Sequence, residues 1–248
     1  MPVSSSSPRP TRTAASTAAA SSPRQTSYSS VSRLKSGASC TRGTLRVRVC
    51  AARAHHVRFA HGELTNYANI ARDCGVDAKT VKEYYQILVD TLLGSFVPPW
   101  KKRQQRQVIG KAAKFYLFDV GLAGALTRRQ IVEERGEQFG RALEHFVLME
   151  LLAHRSYRDL DYGIHFWRTK SGLEVDFVLG DGEVAVEVKG TSRVDPSDLR
   201  SLRAFAEDNR PRRAIMVCNE RAPRIHEGIE MLPWREFLAR LWGGAILR

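Results

Sequence analysis

From about residue 63 onward, apolar positions recur at spacings that name their elements; ahead of that point they follow no period. Residues 65–73 carry Tyr67, Ile70 and Ala71 on one side of a short helical pattern. Gly75 stands where a helix end favours a left-handed residue, and Asp77 can cap a second helix over 78–93. Val81, Tyr84, Tyr85, Leu88 and Leu92 share one face of that helix. Two helices around a short glycine-containing turn predict a helix-turn-helix. Residues 95–100 read as extended and 114–118 as a second strand, with a basic run from Lys101 to Arg106 between them. Asp119 can cap a further short helix through Leu126.

A long amphipathic helix at about 139–154 opens the second half, with Phe139, Leu143, Phe146, Val147 and Leu151 as its buried stripe. Strands are predicted at 165–168, 173–179 and 184–189. Asp195, Pro196 and Asp198 supply the N-cap, N1 and N3 positions of the next helix, whose apolar face is Leu199, Leu202, Phe205 and Ala206. The run 214–218 reads as a fully buried strand. Residues 229–232 form a last strand and Pro233 opens a final helix. The order is α-β-β-β-α-β, then a further β and α. Trp100, Trp167, Trp234 and Trp242 read as core or rim residues.

Charge changes this picture less than its total suggests. The net charge is +13 over 248 residues, but ten Arg and Lys and no acidic residue precede Glu63. From Glu63 onward 29 basic residues face 26 acidic ones, so any nucleic-acid surface must be a local patch. The leader, residues 1–58, is rich in Ser, Ala and Arg and is expected to be disordered. Its acid-poor texture equally suits an organelle transit peptide or a start placed too far upstream. Cys40, Cys50, Cys74 and Cys218 form no ligand or disulfide spacing, so a reduced, cytoplasmic setting is expected. No apolar run approaches the roughly 18 residues of a membrane span. His55, His56 and His61 have no second ligand set nearby, so no metal site is expected there. Three parts result: the leader at 1–58, a helix-turn-helix with a strand pair, winged-helix-like in arrangement, at 59–130, and an α/β domain at 131–248.

The candidate chemistry lies on one hairpin. Asp181-Gly182 is a preferred type I′ pair, and that turn pairs Phe177 with Val186, Asp176 with Glu187 and Glu174 with Lys189. Val175 and Val188 then join Phe177 and Val186 on the core face. Two carboxylates facing each other with Cβ atoms about 5 Å apart repel and need a compensating charge. A divalent cation such as Mg²⁺ suits carboxylate oxygens, with Asp176 and Glu187 as ligands and Glu144 of the preceding helix completing the set. Lys189 can then steady a phosphate or polarise water, which is the group set that phosphodiester hydrolysis needs. The alternative is a solvated face, with Glu174 and Lys189 as a cross-strand ion pair.

Glu144, Asp176, Glu187 and Lys189, with the αβββαβ order, resemble the signature of PD-(D/E)XK restriction-endonuclease-like domains. More closely, the chain resembles the C-terminal region of prokaryotic AAA-type ATPases that carry the domain of unknown function 4143. The matching stretches are 114–122 (KFYLFDVGL), 140–147 (GRALEHFV), 166–177 (FWRTKSGLEVDF) and 186–190 (VEVKG), with the helix-turn-helix upstream. The resemblance implies an α/β nuclease-like core behind a winged-helix-like domain. It does not bring ATP binding, because no GxxxxGK[ST] sequence is present and Gly110-Lys111-Ala112 lacks both the upstream glycine and the hydroxyl residue. An orphaned C-terminal half is therefore expected. Two functions follow. One is a Mg²⁺-dependent nuclease with Glu144, Asp176, Glu187 and Lys189 as its site. The other is a catalytically inactive DNA- or protein-binding, regulatory module lacking its ATPase domain, prone to self-association. In either, Lys79 and Lys82 face a DNA groove and Lys101, Lys102, Arg103 and Arg106 contact phosphates.

Overall fold

Helix α1 (Tyr67–Cys74) begins where the Asn66 side chain accepts from the Asn69 N–H, and ends at Gly75 in the left-handed region, φ 65°. In the computed structural model, which describes residues 61–101 and 112–247, α2 (Ala78–Asp90) follows directly, with Asp77 accepting from the Thr80 N–H. The leader at 1–58 and Lys102, Arg103 and Arg106 lie outside the described residues. Val81 and Tyr85 are buried as expected, but the helix stops at Thr91 and Leu92 turns out to solvent with φ 59°. Strand β1 (Gly94–Val97) pairs antiparallel with β2 (Lys114–Leu117), and Asp119 caps α3 (Val120–Thr127). Tyr67, Tyr85, Phe96 and Phe115 pack edge to face between the helix pair and this small sheet. Residues just after β1 leave it for the larger sheet: Trp100 N–H donates to Phe166 O and Phe166 N–H to Pro98 O.

The larger sheet has six strands in the order β3-β4-β5-β6-β8-β7. They are β3 (Ile164–Arg168), β4 (Glu174–Leu179), β5 (Val184–Val188), β6 (Arg213–Cys218), β7 (Arg224–His226) and β8 (Ile229–Pro233). β3, β4 and β5 are antiparallel neighbours, β5, β6 and β8 run parallel, and β7 is antiparallel to β8. The parallel step from β5 to β6 crosses over through α5 (Arg200–Asn209). Helices α4 (Gly136–Tyr157) and α6 (Trp234–Trp242) cover one face, where Leu143, Val147, Leu151, Phe237 and Leu241 meet Val186 and Ile215. Leu199, Leu202 and Phe205 cover the other, against Val178, Ala185 and Met216. β6 divides its side chains between these two cores, as a central strand must. The fold is thus mixed α/β, and its second half follows the order α4-β3-β4-β5-α5-β6.

Four local features differ from the sequence reading. The α5 start is preceded by 3₁₀-type turns over 195–199; Asp198 reaches back to the Asp195 N–H, but the α-helix proper begins at Arg200. Strand β7 carried no sequence signal, because it is short and its positions are exposed or half-exposed. It turns into β8 through Glu227 and Gly228, both at positive φ as a type I′ turn requires. The turn at 180–183 is not that type: the positive φ values fall at Gly180 and Gly182, and Glu183 N–H donates to Leu179 O. Its register nevertheless stands, with Phe177 opposite Val186.

The fourth difference aims the site. β3 and β4 change register between His165 and Trp167, so Asp176 and Phe177 together oppose Phe166. Such a bulge breaks the alternation of faces. Phe177 joins the core under α4, whereas Val175, two residues away, lies in the opposite core beside Trp167. Asp176 is released from the ladder and turns its carboxylate onto the Val188 N–H of β5, 2.8 Å away.

Candidate active site

Glu144, Asp176, Glu187 and Lys189 meet in one cleft of about 290 Å³, together with Lys114, Tyr116 and Glu174. α4 presents Glu144 beside its buried residue Leu143, β4 presents Glu174 and Asp176, and β5 presents Glu187 with Lys189 just beyond its end. Asp176 and Glu187 are both buried, so the solvated-face alternative does not describe them. Nor does Glu174 pair with Lys189. Glu174 binds Arg168 at 3.3 Å and Lys114 at 2.5 Å, and the Lys189 ammonium lies 3.8 Å from Glu187.

Lys114 was missed by sequence reasoning. Its ammonium stands 2.5 Å from Glu174, 3.4 Å from Glu144 and 3.9 Å from Asp176. Burial lowers its hold on its proton, but Glu144, Asp176 and Glu174 outweigh that and keep it above the ordinary lysine range. Tyr116, two residues on, donates its hydroxyl to Glu144 Oε1 at 2.5 Å; burial, then Glu144, keeps the phenol protonated. The available signal was a lysine inside the apolar run of β2, where a buried charge must have partners.

Even with Lys114 present, the cluster carries more negative charge than it neutralises. Burial, then Glu144, raises the proton affinity of Asp176. Burial, then Asp176, raises that of Glu187 well above the carboxylate range, with Lys189 opposing. Glu187 Oε2 is buried and has no hydrogen-bond partner among the described residues. Asp176 and Glu187 therefore suit a divalent cation: two desolvated carboxylates and an orphaned oxygen. The remaining carboxylates gather around Lys114 instead, and no three His, Cys, Asp or Glu groups converge at ligand spacing among the described residues.

A second unexpected feature borders the cleft, which His61 helps to line. Leu117 N–H donates to His61 Nδ1, which leaves His61 Nε2–H for His145 Nδ1 and His145 Nε2–H for the Leu117 carbonyl. This closed ring ties β2, α4 and the residue before Gly62 together. Both imidazoles are neutral: burial lowers His145, and burial with His145 and Arg129 pushes His61 down to about 3. Unfolded histidines take up protons from about pH 6.5 downward. The ring therefore contributes its full stability above that pH and loses it as pH falls toward about 3. Comparing urea unfolding of the wild type and His61→Gln across that range checks this; the variant is expected to lose less stability on acidification.

The α4–β5 approach sets the cleft width. A Cβ on Gly190 would come within 2.8 Å of Gly140 Cα and 2.9 Å of the Phe139 ring. Gly190→Ala is expected to force α4 off β5 and to cost about 1–3 kcal/mol in urea unfolding, as overpacking does.

The predicted DNA-contact residues stand elsewhere. Lys79 and Lys82 are exposed on α2 and Lys101 is exposed beyond β1, all outside the acid cleft. Among the described residues no helix is long and apolar enough to cross a membrane.

Residues 139–237 match the family described as a domain of unknown function, DUF4143. That stretch contains Glu144, Asp176, Glu187 and Lys189. Residues 47–131, which include Lys114 and Tyr116, match a second domain of unknown function, DUF8612. The cleft is thus built by the DUF4143 stretch and completed by side chains outside it. Uncharacterized protein Rv2008c of Mycobacterium tuberculosis and uncharacterized protein Mb2031c of Mycobacterium bovis are each 32% identical over 165 residues. Those residues are 63% of this chain and 35% of each relative, so the match spans about a third of the relatives' length. No solved structure matches the chain.

Proposed function

We propose that the cleft is a divalent-metal-dependent phosphodiester-cleaving site of the PD-(D/E)XK type. The observation that carries this reading is the buried pair Asp176 and Glu187, short of positive charge and with Glu187 Oε2 unpartnered. The order α4-β3-β4-β5-α5-β6 supports it. Asp176 and Glu187 would hold the metal, which supplies a water of lowered pKa and neutralises charge on the phosphate. Lys189, at the rim with its side chain 42% exposed, would steady the scissile phosphate. Lys114 and Tyr116 hold the Glu144 carboxylate in place. The helix pair and strands β1–β2, in a winged-helix-like role, would bring DNA to the cleft through Lys79, Lys82 and Lys101. Incubating nicked, linear and single-stranded DNA with Mg²⁺ or Mn²⁺ tests the reading, and no cleavage of any of them rejects it.

A second reading, a non-catalytic DNA- or protein-binding module, draws on Lys114. An ammonium bridging three carboxylates already does part of a cation's work. The exposed side chains of Ile87, Leu92, Leu93 and Phe118 suit a protein partner or a second copy. Binding of DNA with a steep salt dependence but without hydrolysis favours this reading.

A further inference from the structure

Arg129 follows α3, and its backbone is held in place. Arg128 adopts φ 53° as the helix cap, and the Arg129 N–H donates to Gly124 O at 2.9 Å. The Arg129 side chain lines the acid cleft beside Arg141. Arg141 is paired, at 3.0 Å with Glu63 and 3.0 Å with Glu137. Arg129 is half-buried and makes no ion pair or side-chain hydrogen bond with the other described residues. Burial, then Arg141, lowers its hold on its proton, only partly offset by Glu144, Glu137 and Glu63. A guanidinium does not deprotonate in response, so a bound anion would relieve this repulsion. Its fork of N–H donors matches phosphate oxygens.

The neighbouring space argues for a strand rather than a single small anion. A second cleft of about 570 Å³ continues from the first, sharing Arg141, Glu144, Asp176, Glu187 and Lys189. It runs on past Gly190 to Ser192 and Arg193. Cations therefore run along this space beside the acidic floor: Arg129 lines the first cleft alone, Arg141 and Lys189 line both, and Arg135 and Arg193 line the second alone.

We propose that Arg129, with Arg141 beside it, forms a phosphate subsite that takes a backbone phosphate of a nucleic-acid strand, one or more nucleotides from the bond at the acidic floor. This rests on the cleft being a nucleic-acid site, as argued above.

The test is fluorescence anisotropy of an end-labelled oligodeoxynucleotide with the full chain in EDTA, where no cleavage can occur. Arg129→Gln is expected to weaken binding about tenfold and to reduce the salt slope by about one. Arg129→Lys should restore the slope but only part of the affinity, because a point charge replaces the fork. Wild-type affinity in Arg129→Gln overturns the proposal, as does a wild type that does not bind the oligonucleotide. Inorganic phosphate serves as the second probe. If it raises the melting temperature in an Arg129-dependent way while the oligonucleotide does not bind, the site takes free phosphate and the strand assignment is overturned. If Arg129→Gln fails to fold, the Arg129→Lys affinity decides: a value equal to wild type overturns the claim that the fork matters, and a weaker one supports it. Arg129-dependent binding without any metal-dependent cleavage sinks the catalytic reading alone. Cleavage with unchanged binding by Arg129→Gln sinks this subsite alone.

Discussion

Asp176→Asn is expected to abolish divalent-ion-dependent cleavage while making the metal-free protein more stable at neutral pH. The two effects have one cause. Asp176 is desolvated and faces Glu144, with Glu187 beside it, so its ionised form is costly without a further cation. An asparagine keeps an acceptor for the Val188 N–H and removes the charge. The folded carboxyl holds its proton to higher pH than the unfolded one, so the cost is absent in acid and grows as pH rises above the ordinary aspartate range. Near pH 8 the gain should be on the order of 1–3 kcal/mol in urea unfolding, shrinking toward zero in acid. Cleavage should fall by about a thousandfold or more, the scale of losing a group that holds charge at a reacting centre. Calorimetric titration with Mg²⁺ separates the steps: the wild type should bind and raise its melting temperature, and the variant should do neither. A variant that is destabilised yet still binds the ion would show that Asp176 is a structural carboxylate.

Lys114→Met carries the opposite expectation. It leaves Glu144, Glu174 and Asp176 facing one another across the space the ammonium filled. Removing one partner from a buried charge network costs about 3–5 kcal/mol, and the methionine chain offsets little because it fills volume without supplying charge. The loss should be largest at neutral pH. Asp176 already holds its proton more tightly in the folded state, with Lys114 opposing, so without the lysine the ionised form costs more and stability should return as pH falls. Denaturant midpoints at neutral and mildly acidic pH measure this. If the cleft is a metal site, Mg²⁺ should rescue part of the loss; no rescue, with full stability retained, would show that Lys114 is dispensable.

Much of this was legible locally. Gly75, Asp77 and Asp119 mark helix ends by their own side chains or backbone freedom, and each does so in the fold. The apolar stripe of α4 lies where a period of 3.6 puts it, and Glu144 follows from that stripe. The pairing of Phe177 with Val186 emerged although the turn type did not, because two-sided burial of β4 and β5 specifies register independently of the loop.

Local periodicity along the chain was enough to determine the element order apart from β7 and to bring Asp176, Glu187 and Lys189 onto one hairpin, since those relations span only a few residues. Only the tertiary structure decided what surrounds them. The bulge in β4 exists only in its pairing with a different strand, opposite Phe166. Lys114 and Tyr116 reach Glu144 from about thirty positions away, and His61 reaches His145 across 84. Contacts of that separation leave no periodic trace, because the lysine and histidine rings are chosen by the charge and donors facing them, not by their neighbours along the chain.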